Sequence, residues 1–198
     1  MIDFIYPTPI LHKEADNNSK IKIQRELDKL CEGLSFVENA QWGAGHLQIS
    51  DADGRSNVIV DHNLKSLSGY INLCVDEYVQ ECIGHTMKYN ICQSWMTKTK
   101  HGQVAAVHNH SQFDIAGVYY YKTNMKDGAI KFSNPNLGLE ASKTWMRSYT
   151  YNVRIQPNVG TLILFPAWLG HSVELNTTND DRMSLAFNIN IDRTMYNS

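Results

Sequence analysis

A mainly β fold, with helices confined to the N-terminal side, is what this sequence predicts, and three observations predict it. Two segments before Gly84 carry apolar residues at helical spacing. Beyond Gly84 the chain turns into short runs rich in β-branched and aromatic residues, with no helical pattern between them. Turn-forming stretches, "KDG", "NPN", "PNVG" and "TNDD", punctuate those runs, which argues for an antiparallel sandwich or barrel of jelly-roll type.

Taken in order, "DFIYPTPI" is β-prone but interrupted by Pro7 and Pro9, which suits an edge strand leading into the fold. "DNNSKIKIQRELDKLCEGL" reads as a helix, with Asn and Ser as cap candidates ahead of Ile21, Ile23, Leu27 and Leu30, and Gly33 as its stop. From Ser35 to Asn57 the chain is rich in Gly, Asp and Asn, predicting loops around one short extended piece near "HLQIS". A second helix is expected over about Leu64 to Ile83, where Leu67, Tyr70, Ile71, Cys74, Val75, Tyr78, Val79 and Cys82 recur on one face. The strand candidates are "TMKYNICQSWMTKT", "QVAAVHNH", "DIAGVYYYK", "AIKFSNP", "TYNVRIQP", "GTLILFP", "GHSVELN" and "DRMSLAFNINI". A chain of 198 residues is expected to be one domain, with 1–84 supplying a strand and packing helices and 85–198 the jelly-roll core.

Charge excludes some partners. With 18 basic against 20 acidic residues the net charge is -2, which leaves no footprint for nucleic acid or an anionic membrane. Neither a signal peptide nor a long apolar span is visible, so a soluble, cytoplasmic protein is expected. Cys31, Cys74, Cys82 and Cys92 lie far apart with no C-x-x-C pair, and are read as buried free thiols. The composition leaves open whether the chain forms a homo-oligomer.

The chemistry is concentrated in "VHNHSQFDIAGVYYYK". Side chains at i and i+2 of a strand share a face, so His108 and His110 can converge on one metal ion. "GTLILFPAWLGHSVEL" presents His171 just after an apolar strand and a proline turn, and Arg182 opens a run whose alternate positions are apolar. The bland alternatives are hydrogen-bonded or surface histidines, and a surface ion pair of Arg182 with Asp180 or Asp181.

The order H-x-H, a tyrosine-rich strand, "GAIKF", "PNVGTLILFP", His171 and then Arg182-x-Ser184 resembles the double-stranded β-helix, a jelly-roll or cupin-like fold, of the Fe(II)- and 2-oxoglutarate-dependent oxygenases. It is more closely similar to a small group of such proteins in bacteria and phages, from "YPTPI" through "SGYINL" and "QSWMT" to "SLAFNIN". The resemblance implies a dioxygenase that binds Fe(II), 2-oxoglutarate and O2, and hydroxylates a substrate with release of succinate and CO2. The residues do not identify that substrate; a protein side chain is the first class to test.

His108, His110 and His171 would be the metal ligands, since imidazoles suit Fe(II) and a catalytic site keeps open positions. Most such oxygenases have H-x-D or H-x-E where this chain has His110. Asp114 is therefore an alternative ligand if "SQF" bends the chain, or else the acceptor of a ligand histidine's outer N–H. The resemblance implies that Arg182 and Ser184 hold the far carboxylate of 2-oxoglutarate, Arg182 through its planar fork. Among Tyr119, Tyr120 and Tyr121, Tyr119 is taken as a possible lining residue of the cosubstrate pocket. Trp95, Trp145 and Trp168 are read as core or rim aromatics. His12, His46, His62, His85 and His101 have no partner at ligand spacing, and Asp76, Glu77 and Glu81 form a solvated helix face. Two rivals stand beside this reading: a three-histidine cupin-type dioxygenase that needs no keto acid, and a non-catalytic jelly-roll binding module.

Overall fold

The computed structural model describes residues 7–32, 35–39, 44–47, 57–135 and 153–193. Strand β1 (Leu11–Glu14) leads into helix α1 (Asn17–Glu32), strands β2 (Phe36–Asn39) and β3 (Ala44–Leu47) follow, and helices α2 (Val58–Asp61) and α3 (Lys65–Ile83) come next. Then come β4 (Tyr89–Thr99), β5 (Ala105–His108), β6 (Ile115–Lys122), β7 (Ile130–Phe132), β8 (Val153–Ile155), β9 (Thr161–Pro166), β10 (His171–Val173) and β11 (Arg182–Ile191). Every strand expected beyond Gly84 is present.

Two antiparallel sheets result. The seven-stranded sheet has the order β1-β9-β6-β11-β4-β3-β2, and the four-stranded sheet β5-β10-β7-β8. Residues 8–10, just after the first proline, are not strand; the edge strand begins at Leu11, pairing with β9. The remainder of the expected first strand, residues 3–6, lies outside the described residues. So do Gly33, residues 48–50 and Trp145. Strand β2 falls where loops were expected, because pairing with β3 overrides a turn-rich composition, and the short helix α2, just past that segment, is an element the sequence did not predict, with Val58 and Ile59 buried.

Helix α1 is capped by Asp16 rather than by Asn or Ser. Its carboxylate accepts the backbone N–H groups of Asn18 and Ser19 at 2.9 and 3.0 Å and the Ser19 hydroxyl at 2.6 Å. Helix α3 borrows its cap from α1: Glu26 accepts the N–H groups of Ser66 and Leu67 at 2.7 and 3.1 Å, tying the two helices together. Gly84 ends α3 with φ of 84°, the left-handed conformation that glycine adopts without a Cβ clash.

The strand alternation of the large sheet divides two apolar layers. Tyr119, Leu162, Leu164, Leu185 and Phe187 face Ile23 and Leu27 of α1 and Leu67, Ile71 and Val75 of α3. Burying each such aliphatic side chain is worth about 1.5–3 kcal/mol, so this layer is what secures the helices. Gly117 belongs here by necessity, since a Cβ on it would lie 2.3 Å from the Phe187 ring opposite. The other layer, between the sheets, contains Ala116, Val118, Tyr120, Ile130, Phe132, Ile163 and Phe165. The four cysteines are free, as expected, but only Cys74 is buried; Cys31 and Cys92 are half-buried and Cys82 is exposed. No described helix is long and apolar enough to cross a membrane.

Candidate active site between the sheets

Strand pairing brings the histidines together. β10 runs antiparallel to β5 with His171 directly opposite His108, placing their ring centroids 4.3 Å apart. His110 lies just past the end of β5, where its N–H donates to the Ala167 carbonyl at 2.7 Å and so ties it to the turn that leads into β10. Its ring is 5.1 Å from that of His108 and 5.2 Å from that of His171. One ring nitrogen from each histidine lies within 4.8 Å of the others.

Two tautomers follow from the hydrogen bonds. Nδ1 of His108 meets the Ala106 carbonyl at 2.7 Å, and Nδ1 of His171 meets the Leu169 carbonyl at 2.9 Å. A carbonyl only accepts, so Nδ1 carries the proton in both rings and Nε2 is the nitrogen able to ligate a metal. Burial, reinforced by the neighbouring His108, pushes the His171 pKa down to about 3 and that of His110 to about 4. Burial also lowers that of His108, against the opposing pull of the Ala106 carbonyl. All three are neutral near pH 7, the form that ligates. Phe165 packs edge-on against His171 at 4.7 Å and Trp95 against His110 at 5.6 Å, walling the cluster with apolar rings.

Asp114 is elsewhere. The chain does bend over Ser111–Phe113, with the Phe113 N–H bonded to the His110 carbonyl at 2.9 Å. Yet the carboxylate of Asp114 accepts the Ile191 N–H at 2.8 Å and pairs with Arg193. The outer N–H groups of His108 and His171 are accepted by backbone carbonyls instead.

Arg182 opens β11 and is only 2 % exposed. Its Nη1 donates to the Gly128 carbonyl and its Nη2 to the Thr99 hydroxyl, each at 3.1 Å, while Nε has no partner among the described residues. A surface ion pair is ruled out by that burial; Asp181 pairs with Lys98, and Asp180 accepts from Asn124. Burial weakens the guanidinium's hold on its proton, with Tyr120 and Asp127 countering, but an arginine stays charged. Gly128 is required where it is: φ is 102°, and a Cβ would lie 2.4 Å from the Glu174 carbonyl oxygen.

Ser184 lies two residues along the same face and is buried, opposite Tyr120 of β6. Tyr120, rather than Tyr119, shares that side of the sheet. Tyr119 points to the helices, where its ring meets Tyr70 edge-on at 6.2 Å. Burial raises the Tyr120 hydroxyl pKa to about 12, so it is a neutral phenol beside the guanidinium. Thr99, Gly128 and Tyr120 are the neighbours of Arg182 that sequence reasoning missed. The alternation of β6 alone allowed either Tyr119 or Tyr120, and only the register with β11 selects between them.

Residues 93–188 match the model of a family described as "Putative 2OG-Fe(II) oxygenase". No curated relative matches the chain. Among solved structures, an oxidoreductase of the 2OG-Fe(II) oxygenase family from Burkholderia pseudomallei is similar at 14 % identity, with 91 % of this chain and 84 % of that one covered and a TM-score of 0.64. A prolyl hydroxylase from Trichoplax adhaerens, in complex with a hypoxia inducible factor peptide fragment, is also 14 % identical, covering 91 % of this chain and 82 % of that one at a TM-score of 0.59. HygX from Streptomyces hygroscopicus, with nickel and 2-oxoglutarate bound, is 11 % identical and covers 92 % and 83 % at 0.59. At these identities the structural likeness establishes the fold, a double-stranded β-helix.

Proposed function

We infer that the chain, which carries the 2OG-Fe(II) oxygenase pattern across residues 93–188, is a 2-oxoglutarate- and Fe(II)-dependent oxygenase whose metal is held by His108, His110 and His171. The observation that carries this ligand set is the convergence of three neutral imidazoles within 4.8 Å, two of them with Nδ1 already engaged. Bound there, iron and 2-oxoglutarate supply the chemistry that puts an oxygen atom from O2 into a C–H bond, with the keto acid leaving as succinate and CO2.

The residues present fit both groups. Three neutral ligands bring no negative charge, so the metal's full charge is left for an anionic cosubstrate to offset. Arg182 is a buried cation with an unpartnered Nε and no carboxylate bonded to it among the described residues, which suits the far carboxylate of a diacid. Thr99 and Gly128 fix the guanidinium plane, while Ser184 and the neutral Tyr120 hydroxyl add hydrogen-bonding capacity on the same side. Phe132 and Phe165 keep water from the His171 side. A direct-binding three-histidine dioxygenase has no use for a buried arginine of this kind.

For the substrate, a protein side chain is the reading we favour. Trp168 is 49 % exposed in the turn whose neighbours Ala167 and Leu169 bond His110 and His171, giving an aromatic rim beside the cluster. Two of the similarly folded enzymes are prolyl hydroxylases, and one was solved with a peptide. The helical segment 1–84 and the sheets of 85–198 act as one folding unit in this reading, supported by the core layer that α1 and α3 share with the large sheet. Anaerobic titration with Fe(II) and then 2-oxoglutarate tests the cofactor assignment: a weak visible charge-transfer band of the chelated keto acid should grow in at one equivalent. Its absence in a folded, iron-loaded protein would return the chain to the keto-acid-independent class.

A further inference from the structure

Two transverse rows of inward-facing residues cross the large sheet beneath the histidines. Strand register aligns Gln93, Asn188, Ala116 and Phe165 in one row, and Trp95, Ala186, Val118 and Ile163 in the next. Trp95 touches His110 at one side and Phe165 touches His171 at the other, so the middle of these rows forms the floor under the cluster. Ala116 and Ala186 keep that floor low. The polar exception in its centre is Asn188, which is 1 % exposed.

The Asn188 amide is held in one orientation. Its Nδ2 donates to Gln93 Oε1 at 3.2 Å, which leaves Oδ1 as a buried acceptor with no partner among the described residues. Buried polar groups are nearly always satisfied, and one left open beside a reaction centre marks where a ligand completes the set. Arg182 lies on the same face of β11, nearer its start, and is assigned to the keto acid. Asn188 is farther along, past the Trp95 level, and is not needed for that role.

We propose that Asn188 is a specificity residue: its Oδ1 accepts a hydrogen bond from a neutral N–H or O–H donor on the substrate, adjacent to the carbon that is oxidised. The inference rests on the oxygenase reading, because it needs His108, His110 and His171 to mark the reacting position. It goes beyond that reading in giving the substrate a chemical feature. A substrate without such a donor leaves the acceptor desolvated and is rejected, the way a site built to bond a hydroxyl or amide discriminates against the analogue lacking it.

The test uses the whole chain loaded anaerobically with Co(II) and 2-oxoglutarate, and N-methylacetamide and N,N-dimethylacetamide as probes, one with an N–H and one without. Proton NMR line broadening by the paramagnetic metal reports how closely and how strongly each probe binds. N-methylacetamide should bind about five- to tenfold more tightly than the dimethyl probe, the upper part of the range for one net hydrogen bond. In Asn188→Leu the two should become equal, with Co(II) uptake unchanged. Equal broadening in the parent, no broadening of either, or a preference for the dimethyl probe overturns the proposal, as does a preference that survives in Asn188→Leu. If that variant does not fold, Gln93→Leu replaces it; releasing Nδ2 lets the amide turn, so the N–H preference should fall at least threefold, and an unchanged preference counts against the proposal. A parent chain that takes up no Co(II), or shows no spectral response to 2-oxoglutarate, removes the oxygenase reading and this inference with it. Normal metal and keto-acid binding without probe discrimination removes the inference alone.

Discussion

Replacing Arg182 with Met separates cosubstrate binding from metal binding. Methionine keeps much of the side-chain bulk but removes every donor of a guanidinium that is 2 % exposed. Two of its nitrogens are committed to Gly128 and Thr99 at 3.1 Å, so the fork is already oriented and a keto acid meets it with little ordering cost. Removing one member of a desolvated, hydrogen-bonded charge pair costs about 3–5 kcal/mol, and each 1.4 kcal/mol is about tenfold. Affinity for 2-oxoglutarate should therefore fall by about a hundredfold or more. Anaerobic calorimetry on the Fe(II)-loaded protein measures it, with Fe(II) affinity as the internal control, expected to change by less than about threefold because Arg182 makes no contact with the histidines. The Gly128 carbonyl and Thr99 hydroxyl lose a donor, so a lowered melting temperature is expected as well, by about 1–3 kcal/mol of stability. Wild-type keto-acid affinity in a folded Arg182→Met protein would refute the assignment of the far carboxylate to this residue.

Three more outcomes are expected. His110→Ala should abolish stoichiometric Fe(II) binding, whereas Asp114→Asn should leave metal affinity nearly unchanged, since that carboxylate bonds the Ile191 N–H and Arg193; a larger loss in Asp114→Asn than in His110→Ala, read by metal titration, would move the carboxylate into the metal site. In the metal-free protein, His171 and His110 titrate near 3 and 4, below the usual unfolded value of about 6.5. The unfolded chain thus takes up protons first, and the melting temperature should fall as pH drops below about 6.5 and go on falling toward 4, with a shallower slope in His110→Phe; a pH-independent difference between the two proteins would contradict the buried neutral imidazoles. Tyr120→Phe should weaken 2-oxoglutarate binding by a few fold to about tenfold, while Tyr119→Phe, on the helix side, should leave it unchanged in the same calorimetric assay.

Much of this protein follows from patterns a few residues long. The switch of apolar period at Gly84 separates the two long helices from the eight later strands, because a half-buried helix and a pleated strand demand different spacings of the same apolar residues. α1 and α3 could be located from that spacing, and all the later strands from β-branched runs between turns. The H-x-H pair, His171 and Arg182 were also legible, since imidazole and guanidinium are scarce groups at the ends of apolar strands. What the linear pattern cannot carry is register. His171 meets His108 because β10 lies against β5, and Tyr120 rather than Tyr119 flanks Arg182 because of how β6 pairs with β11. A slip of one residue in either pairing would reverse every side chain. The fate of Asp114 is likewise tertiary: the bend over Ser111–Phe113 was a condition for its joining the histidines, but the end of β11 offered the Ile191 N–H, and Arg193 just past it an ion pair, instead. Asn188 was not singled out in the sequence, and it is the rows formed by four neighbouring strands that set its open acceptor beneath the histidines.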